Sequence, residues 1–391
     1  MLKKIMTQLL TYSDIDPQQW QALVEQSPYA TWFQTKEAYE FYASNPEEMT
    51  PFAYGVVELE VKGERLEAKG TDECKVESVK FKGEEKGKAD TPASTPYTLH
   101  PTLALKGVIV GYITRERNPL KQYFTARTII PGGPLLDEHI SDEALSTLLS
   151  AVAQCPASSL SPFASRLTNP IYIETRNFHD YSRWKEVFKR AGFNYQSHLN
   201  YHVDTTTIDL AQGNIGKHRW KYIRLSMRDG AQIVEYPTIE QVRAFYTILL
   251  DLYQTKVKTP LWSWDFFERL FHTEHARYIL VELDGQIVGG TACVCLPGKA
   301  VYEWYACGLD NCRDDIRPLS VAIWGEMQYA AENGYPLFDF MGAGSPDQPY
   351  GVRDFKAEFG GELVEHGRFL CIRKPLLYKI GKMGVKWLKR K

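Results

Sequence analysis

The chain has 391 residues, 44% of them hydrophobic and 24% charged, with a formal net charge of −2. That length exceeds one typical core, so two domains are expected, and the ordinary apolar-to-charged balance excludes a disordered or fibrous chain. The near-neutral charge gives no case for DNA as a partner and confines any contact with RNA or anionic lipid to local patches.

The seven cysteines are scattered, odd in number and lack a CxxC pair, which argues against a disulfide framework or a zinc site. The start, MLKKIMTQLLTYSD, is basic, but Thr7, Gln8 and Thr11 break its apolar stretch and no small-residue cleavage site follows. No segment approaches the roughly 20 apolar residues that span a bilayer. A cytoplasmic protein is expected, peripheral on the inner face of the membrane if a basic surface holds it there.

In the first half, residues 32–42 read as a short helix, 52–61 and 103–114 as strands, and 123–130 as a third strand ending in Pro131-Gly132-Gly133-Pro134. Between the first two strands, 63–98 is a polar insertion too poor in apolar residues to offset its ordering entropy. A helix at 141–154, a strand at 170–175 and a helix at 180–191 stopped by Gly192 complete this half.

The second half repeats the grammar. Residues 215–228 form a basic helix, 230–235 a strand, and 238–255 a helix with Val242, Phe245, Leu249 and Leu252 at helical spacing. Strands at 278–283 and 287–295 are joined by Asp284-Gly285, with a further strand at 300–306. A helix over 319–333 precedes strands at 337–341 and 362–372. A helix pair, an antiparallel meander and then strand–loop–helix–strand is the order of acetyltransferase-type folds. The fold class is therefore α+β, with mixed central sheets.

Four stretches resemble the FemA/FemB/FemX family, in the right order and over nearly the full length. They are Phe33-Gln34-Thr35; residues 129–136, IIPGGPLL; residues 216–224, GKHRWKYIR; and residues 338–342, FDFMG, followed by 351–361, GVRDFKAEFGG. The resemblance implies two tandem GNAT (acyl-CoA N-acyltransferase)-like domains, at 1–200 and 201–373, with 374–391 as a basic amphipathic tail that contacts the membrane or packs on the first domain. It implies N-acyl or aminoacyl transfer to an amine of a peptidoglycan-type envelope precursor, from aminoacyl-tRNA. No resident cofactor is expected, because the donor arrives as a co-substrate. Bridge-forming members carry a lysine just after the first motif; here Ala38 and Tyr42 stand at those positions, and Lys36 is the nearest cation.

Acyl transfer to an amine passes through a tetrahedral oxyanion, so catalysis rests on positioning and on donors aimed at that oxygen. Lys356, within the last motif, is the candidate for stabilising that charge or holding a phosphate. Asp339, the only charge in its strand, is the candidate for positioning or deprotonating the amine, or else for capping the backbone after it. Tyr350 and Phe355 flank these positions as substrate contacts. On the basic helix, Lys217, Lys221 and Arg224 share a face and Arg219 lies off it, a pattern suited to acceptor anions or tRNA phosphates, or to a solvated face.

Residues 310–318, DNCRDDIRP, precede the helix where CoA enzymes offer glycines to a pyrophosphate; three acids and no glycine disfavour that donor. Two alternatives stand beside the aminoacyl reading: an acyl-CoA-dependent N-acyltransferase acting on an amino sugar or other envelope component, and a non-catalytic envelope-precursor binding protein. The tail, residues 374–391, carries seven Lys or Arg and no acid, with Leu376, Ile380, Met383 and Trp387 at helical spacing. His272-Thr273-Glu274-His275 is the nearest approach to a metal cluster, and no metal is expected there.

Overall fold

The computed structural model describes residues 4–61, 104–116, 118–154, 169–310 and 312–388; the 63–98 insertion lies outside them. The first half runs β1 (Lys4–Thr11), α1 (Pro17–Gln26), α2 (Lys36–Ala43), β2 (Met49–Val61), β3 (Ala104–Thr114) and α3 (Pro119–Thr125). It continues through β4 (Thr128–Gly132), β5 (Leu135–Leu136), α4 (Asp142–Ala153), β6 (Tyr172–Asn177), α5 (Lys185–Arg190) and β7 (Asn194–Gln196). The second half begins with β8 (Leu199–Asp204), α6 (Ile208–Asn214), α7 (Lys217–Arg228), β9 (Gln232–Val234), α8 (Ile239–Leu252) and α9 (Trp264–Phe271). Then follow β10 (Ala276–Leu283), β11 (Gln286–Leu296), β12 (Ala300–Gly308), α10 (Pro318–Glu332), β13 (Leu337–Asp339), α11 (Gly351–Ala357), β14 (Glu362–Glu365), β15 (Arg368–Ile372) and α12 (Pro375–Leu388).

One sheet has the order β1-β2-β3-β4-β6-β15-β7 and the other β14-β8-β13-β12-β11-β10-β9. Each is an antiparallel meander that turns parallel once, at β4 beside β6 and at β12 beside β13. A helix makes each crossover, α4 in the first half and α10 in the second. The parallel pairing stops at Gly132 opposite Asn177 in the first sheet and at Tyr302 opposite Asp339 in the second, leaving a splay beyond each pair.

One strand crosses from the second half into the first sheet. β15, from the end of the second half, sits between β6 and β7 of the first sheet. β8 sits between β13 and β14 of the second. The strand expected over 362–372 is therefore two strands in different sheets, β14 beside β8 and β15 beside β6. The chain passes from the first sheet to the second between β7 and β8, close to residue 200, and returns to the first sheet only with β15.

Residues 123–130 also differ from expectation. The Asn118 side chain accepts from the backbone N–H of Leu120 and Lys121, Pro119 opens the helix, and α3 forms where a strand was read. The strand begins only at Thr128.

The two halves share an aromatic core. Phe33 meets Tyr302 and Trp304 with ring centroids 5.7 and 5.1 Å apart, Phe178 stacks on Tyr302 at 5.7 Å, and Phe41 meets Phe266 at 5.0 Å. Polar contacts flank it: the His275 ring lies 2.7 Å from Glu37, and Arg269 donates to Asn45 at 3.0 Å. Each aromatic pair adds about 0.5–1.5 kcal/mol beyond its buried area, so the halves form one packed body.

Candidate active site

In the first sheet β4 and β6 stay paired to their ends, through Gly132 opposite Asn177. The splay beyond is filled by uncharged groups. Gln34 Nε2 donates to the carbonyls of Gly132 and Gly133 (3.2 and 2.9 Å), and the Tyr181 hydroxyl donates to those of Gly132 and Pro134 (3.0 and 2.7 Å). Gly132 has φ +77°, and a Cβ there would lie 2.4 Å from Thr31 Oγ1. The Phe-Gln-Thr and Pro-Gly-Gly-Pro motifs are thus two halves of one structural lock.

In the second sheet only three residue pairs, Ala300–Tyr302 against Leu337–Asp339, hold β12 to β13 before they part. A bulge at Trp304 follows on β12, where Cys293 faces Glu303 and Ala292 faces Tyr305. Lys356, on α11, reaches into this opening. Its ammonium donates to the carbonyls of Phe340 (2.6 Å) and Gly342 (3.1 Å) and lies 3.2 Å from Glu303 Oε1. It bridges the diverging strands as a strut. Burial, outweighing Lys356, pushes the Glu303 carboxyl above the usual glutamate range. Behind it, Glu326 on α10 is fully buried, with Thr291 and Cys293 beside its carboxyl; burial and then Glu303 raise that carboxyl well above the usual value, favouring the neutral form.

Asp339, the last residue of β13, is fully buried. Its Oδ1 accepts from the Asn200 amide (2.7 Å) and the Met341 N–H (2.6 Å), and its Oδ2 lies 3.0 Å from His202 Nε2. Burial alone would raise this carboxyl, but the His202 ring, the Asn200 amide and the Met341 N–H together bring it below the usual value. Burial lowers His202, and the Asp339 charge and contact more than reverse that, so the imidazole lies above the usual 6.5. A buried carboxylate orienting one ring nitrogen leaves Nδ1 to exchange a proton, which is a general-base arrangement. Gly361, at φ +86°, makes it possible: a Cβ there would lie 2.4 Å from the His202 carbonyl, so only glycine lets β14 approach β8.

His202 stands near the turns that flank β8 and β15. His198 leads into β8, and His366 lies between β14 and β15 with its ring centroid 5.2 Å from that of His202. Burial holds His198 down to about 4, with Arg368 adding to the effect; burial also holds His179, close by, to about 4. Arg368 contacts Glu174 at 2.8 Å and the His198 ring at 3.0 Å. Burial would raise Glu174, yet Arg176 and Arg368 draw it down to about 2. Of these imidazoles, only His202 is shifted upward.

The candidate residues fall into three groups. Lys356 and Asp339 both lie at the second splay, joined through Phe340 and the Met341 turn. Arg219 donates to Glu358 and Ser320 and stacks on Phe355 at 4.6 Å, so Arg219 and Phe355 clamp α7 onto α11. Lys217, Lys221 and Arg224 are exposed on the outer face of α7, and Tyr350 is exposed beside Gly344. Lys36 is half-exposed and paired with Glu40 on its own helix.

His198, Asn200, His202 and Arg368 were missed by the sequence reading. The signal was present as polar residues at every second position of β8, between Leu199, Tyr201 and Val203. A larger cavity, about 510 Å³, lies at the seam of the two halves. Its Glu48 and Arg269 are used to join them, to the Ser263 N–H and to Asn45.

Residues 217–356 match the family model described as an acetyltransferase (GNAT) domain. The crystal structure of FemX superposes on 95% of this chain and 99% of its own, with a TM-score of 0.61 at 13% identity. A tandem GNAT protein from the clavulanic acid biosynthesis pathway covers 94% of this chain and 98% of its own, with a TM-score of 0.49 at 9% identity. No curated protein matches the sequence. Residues 217–356 therefore match a GNAT domain, within a whole-chain fold shared with FemX.

Proposed function

From the match of residues 217–356 to a GNAT-domain model and the fold shared with FemX, we propose that the chain transfers an aminoacyl group from aminoacyl-tRNA to an amine of a peptidoglycan-type envelope precursor. The observation that carries this reading is the Lys356 strut. A thioester donor of the GNAT type would thread its pantetheine arm between the diverging strands, and here an ammonium crosses that opening between Glu303 and the Phe340 and Gly342 carbonyls.

The loop before α10 supports the same choice. Arg313 is committed to Asp315 and the Asp229 carbonyl, and Arg317 to the carbonyls of Asp314 and Ile316, so among its described residues the acids of the loop face no free guanidinium. A pyrophosphate would meet net repulsion there. The exposed Lys217, Lys221 and Arg224 offer a place for the phosphates of a tRNA instead.

In the proposed reaction the acceptor amine attacks the ester carbonyl while His202 Nδ1 takes its proton, with Asp339 balancing the imidazolium. The tetrahedral oxyanion is stabilised by Lys356, which exchanges a backbone carbonyl for it. Collapse breaks the ester bond, and His202 returns the proton to the departing ribose hydroxyl. Tyr350 lines the acceptor side. Lys36 would meet the acceptor's anionic group only by leaving Glu40.

The test uses the purified chain, a pool of radiolabelled aminoacyl-tRNAs and an envelope-lipid extract, with label counted in the butanol phase. Transfer that is sensitive to RNase and lost in His202→Asn is expected. No transfer, with a control enzyme active in the same extract, removes the tRNA donor for lipid acceptors. Turnover of acyl-CoA in its place would make the chain an ordinary GNAT N-acyltransferase.

A further inference from the structure

The face of α12 that should be buried is outside. Leu376, Ile380 and Met383 recur at i, i+4 and i+7, one stripe of a helix, and are 72%, 51% and 64% exposed. The helix is held to the body by its other side. Tyr378 meets Tyr172 at 5.5 Å, and the backbone N–H groups of Arg373 and Lys374 donate to the Ile171 carbonyl. The apolar stripe is therefore presented to solvent by a packed helix, flanked by exposed Lys379 and Lys382.

A second element shares this surface. The Lys374 ammonium lies 4.0 Å over the ring of Tyr123 and contacts the Tyr123 carbonyl, which brings the start of α12 against α3. On α3, Leu120 and Phe124 are 68% and 51% exposed. Two helices far apart in the chain thus put large apolar side chains into water next to each other, and the segment that holds α12, residues 374–391, has seven basic residues and no acid.

We propose that α3 and α12 form a docking surface for an anionic phospholipid bilayer. Apolar side chains ringed by lysines match the two parts of such a surface, acyl chains below and negative headgroups around them. A second copy of this chain, with net charge −2 but the same basic patch, would set lysines against lysines across a two-fold contact. Among the described residues no helix is long and apolar enough to cross a membrane, so the contact is peripheral. The surface stands on the packing of α12 and does not depend on the acyl-transfer reading.

The experiment is flotation of the full-length protein with phosphatidylcholine vesicles, with and without phosphatidylglycerol. Binding is expected only with the anionic lipid, and it should weaken as salt is added. Lys379→Gln with Lys382→Gln should lower the partition coefficient about thirtyfold, at about one decade of affinity for every one to two charges. Leu376→Glu with Ile380→Glu should abolish flotation, and Phe124→Glu alone should weaken it. All of these positions are exposed, so unchanged circular dichroism and melting are expected and would confirm that the variants fold. Equal binding to neutral vesicles, parental binding by the glutamate variants, or no binding at all overturns the proposal. So does a dimer in light scattering that Leu376→Glu with Ile380→Glu dissolves.

Discussion

At the mouth of the first splay an amide and a phenol, Gln34 and Tyr181, donate to three loop carbonyls. At the mouth of the second an ammonium donates to two carbonyls, with a glutamate, an aspartate and an imidazole beside it. The strand topology is the same in both. The neutral lock offers an amide and a phenol whose ionisation burial holds well above its usual range. The charged lock keeps the strands apart while retaining groups that can gain or lose a proton and meet developing charge. Under the proposed reaction, the comparison separates a sheet that supports from a sheet that reacts; the family match falls on 217–356.

The sharpest way to break that contrast is to remove the base. His202→Asn should lower turnover about 10²–10⁴-fold with the melting temperature little changed, as steady-state kinetics beside calorimetry would show. Equal loss of turnover in Gln34→Ala, corrected for folded protein, would erase the distinction between the sheets.

Lys356→Met comes next, because it strips Glu303 and two carbonyls of their donor. Leaving a buried carboxylate unpaired costs about 3–5 kcal/mol, read from denaturant unfolding, and turnover should fall with it. Restoring stability but not turnover with Glu303→Gln in the same chain would separate the strut from the chemistry. In the first splay, Gln34→Ala should cost only about 1–3 kcal/mol and leave the turnover of the folded fraction intact.

Asp339→Asn sharpens the site itself. The carboxylate holds the His202 imidazole above 6.5, so a base that must be neutral gives a rate that rises with pH through that raised value. Without the carboxylate the acid limb should move to lower pH, towards the values of His198 and His179, while Glu362, which also raises His202, and His366 remain. An unmoved limb would assign it to another group.

The smallest expected effect is in Glu326→Gln. The folded-state pKa of Glu326 is raised, so its contribution to stability is full below the unfolded value and is lost as pH rises through the folded one. The substitution should therefore raise the melting temperature at pH 8 and leave it nearly unchanged at pH 4.

Much of this was legible in the residues. The helix of 319–333, the Asp-Gly hairpin and the glycine-rich turns are local, and local periodicity and turn chemistry specify them. Lys356 and Asp339 stand out as charges within apolar runs, and both lie at the splay. What stayed hidden is non-local. Nothing within 362–372 says that β14 and β15 part company at His366, because both are short and either could pair with several edges. His202 escaped notice because its partner lies 137 positions away (339 − 202), and a lone histidine in a strand reads as surface. The α3 helix was missed because its aromatic run outweighed the Asn118-Pro119 start signal.

The return of β15 to the first sheet bears on how the chain is made. During synthesis the first sheet lacks its β15 until the last part of the chain has emerged, so β6 and β7 wait with open edges while the whole second half is being built. Open edges recruit strands from other molecules. A chain cut before Arg368 would leave that gap permanently, and a first half produced alone would display it as well. The first sheet therefore closes only after the second half has been made, which ties the survival of the first half in a nascent copy to the synthesis of the second.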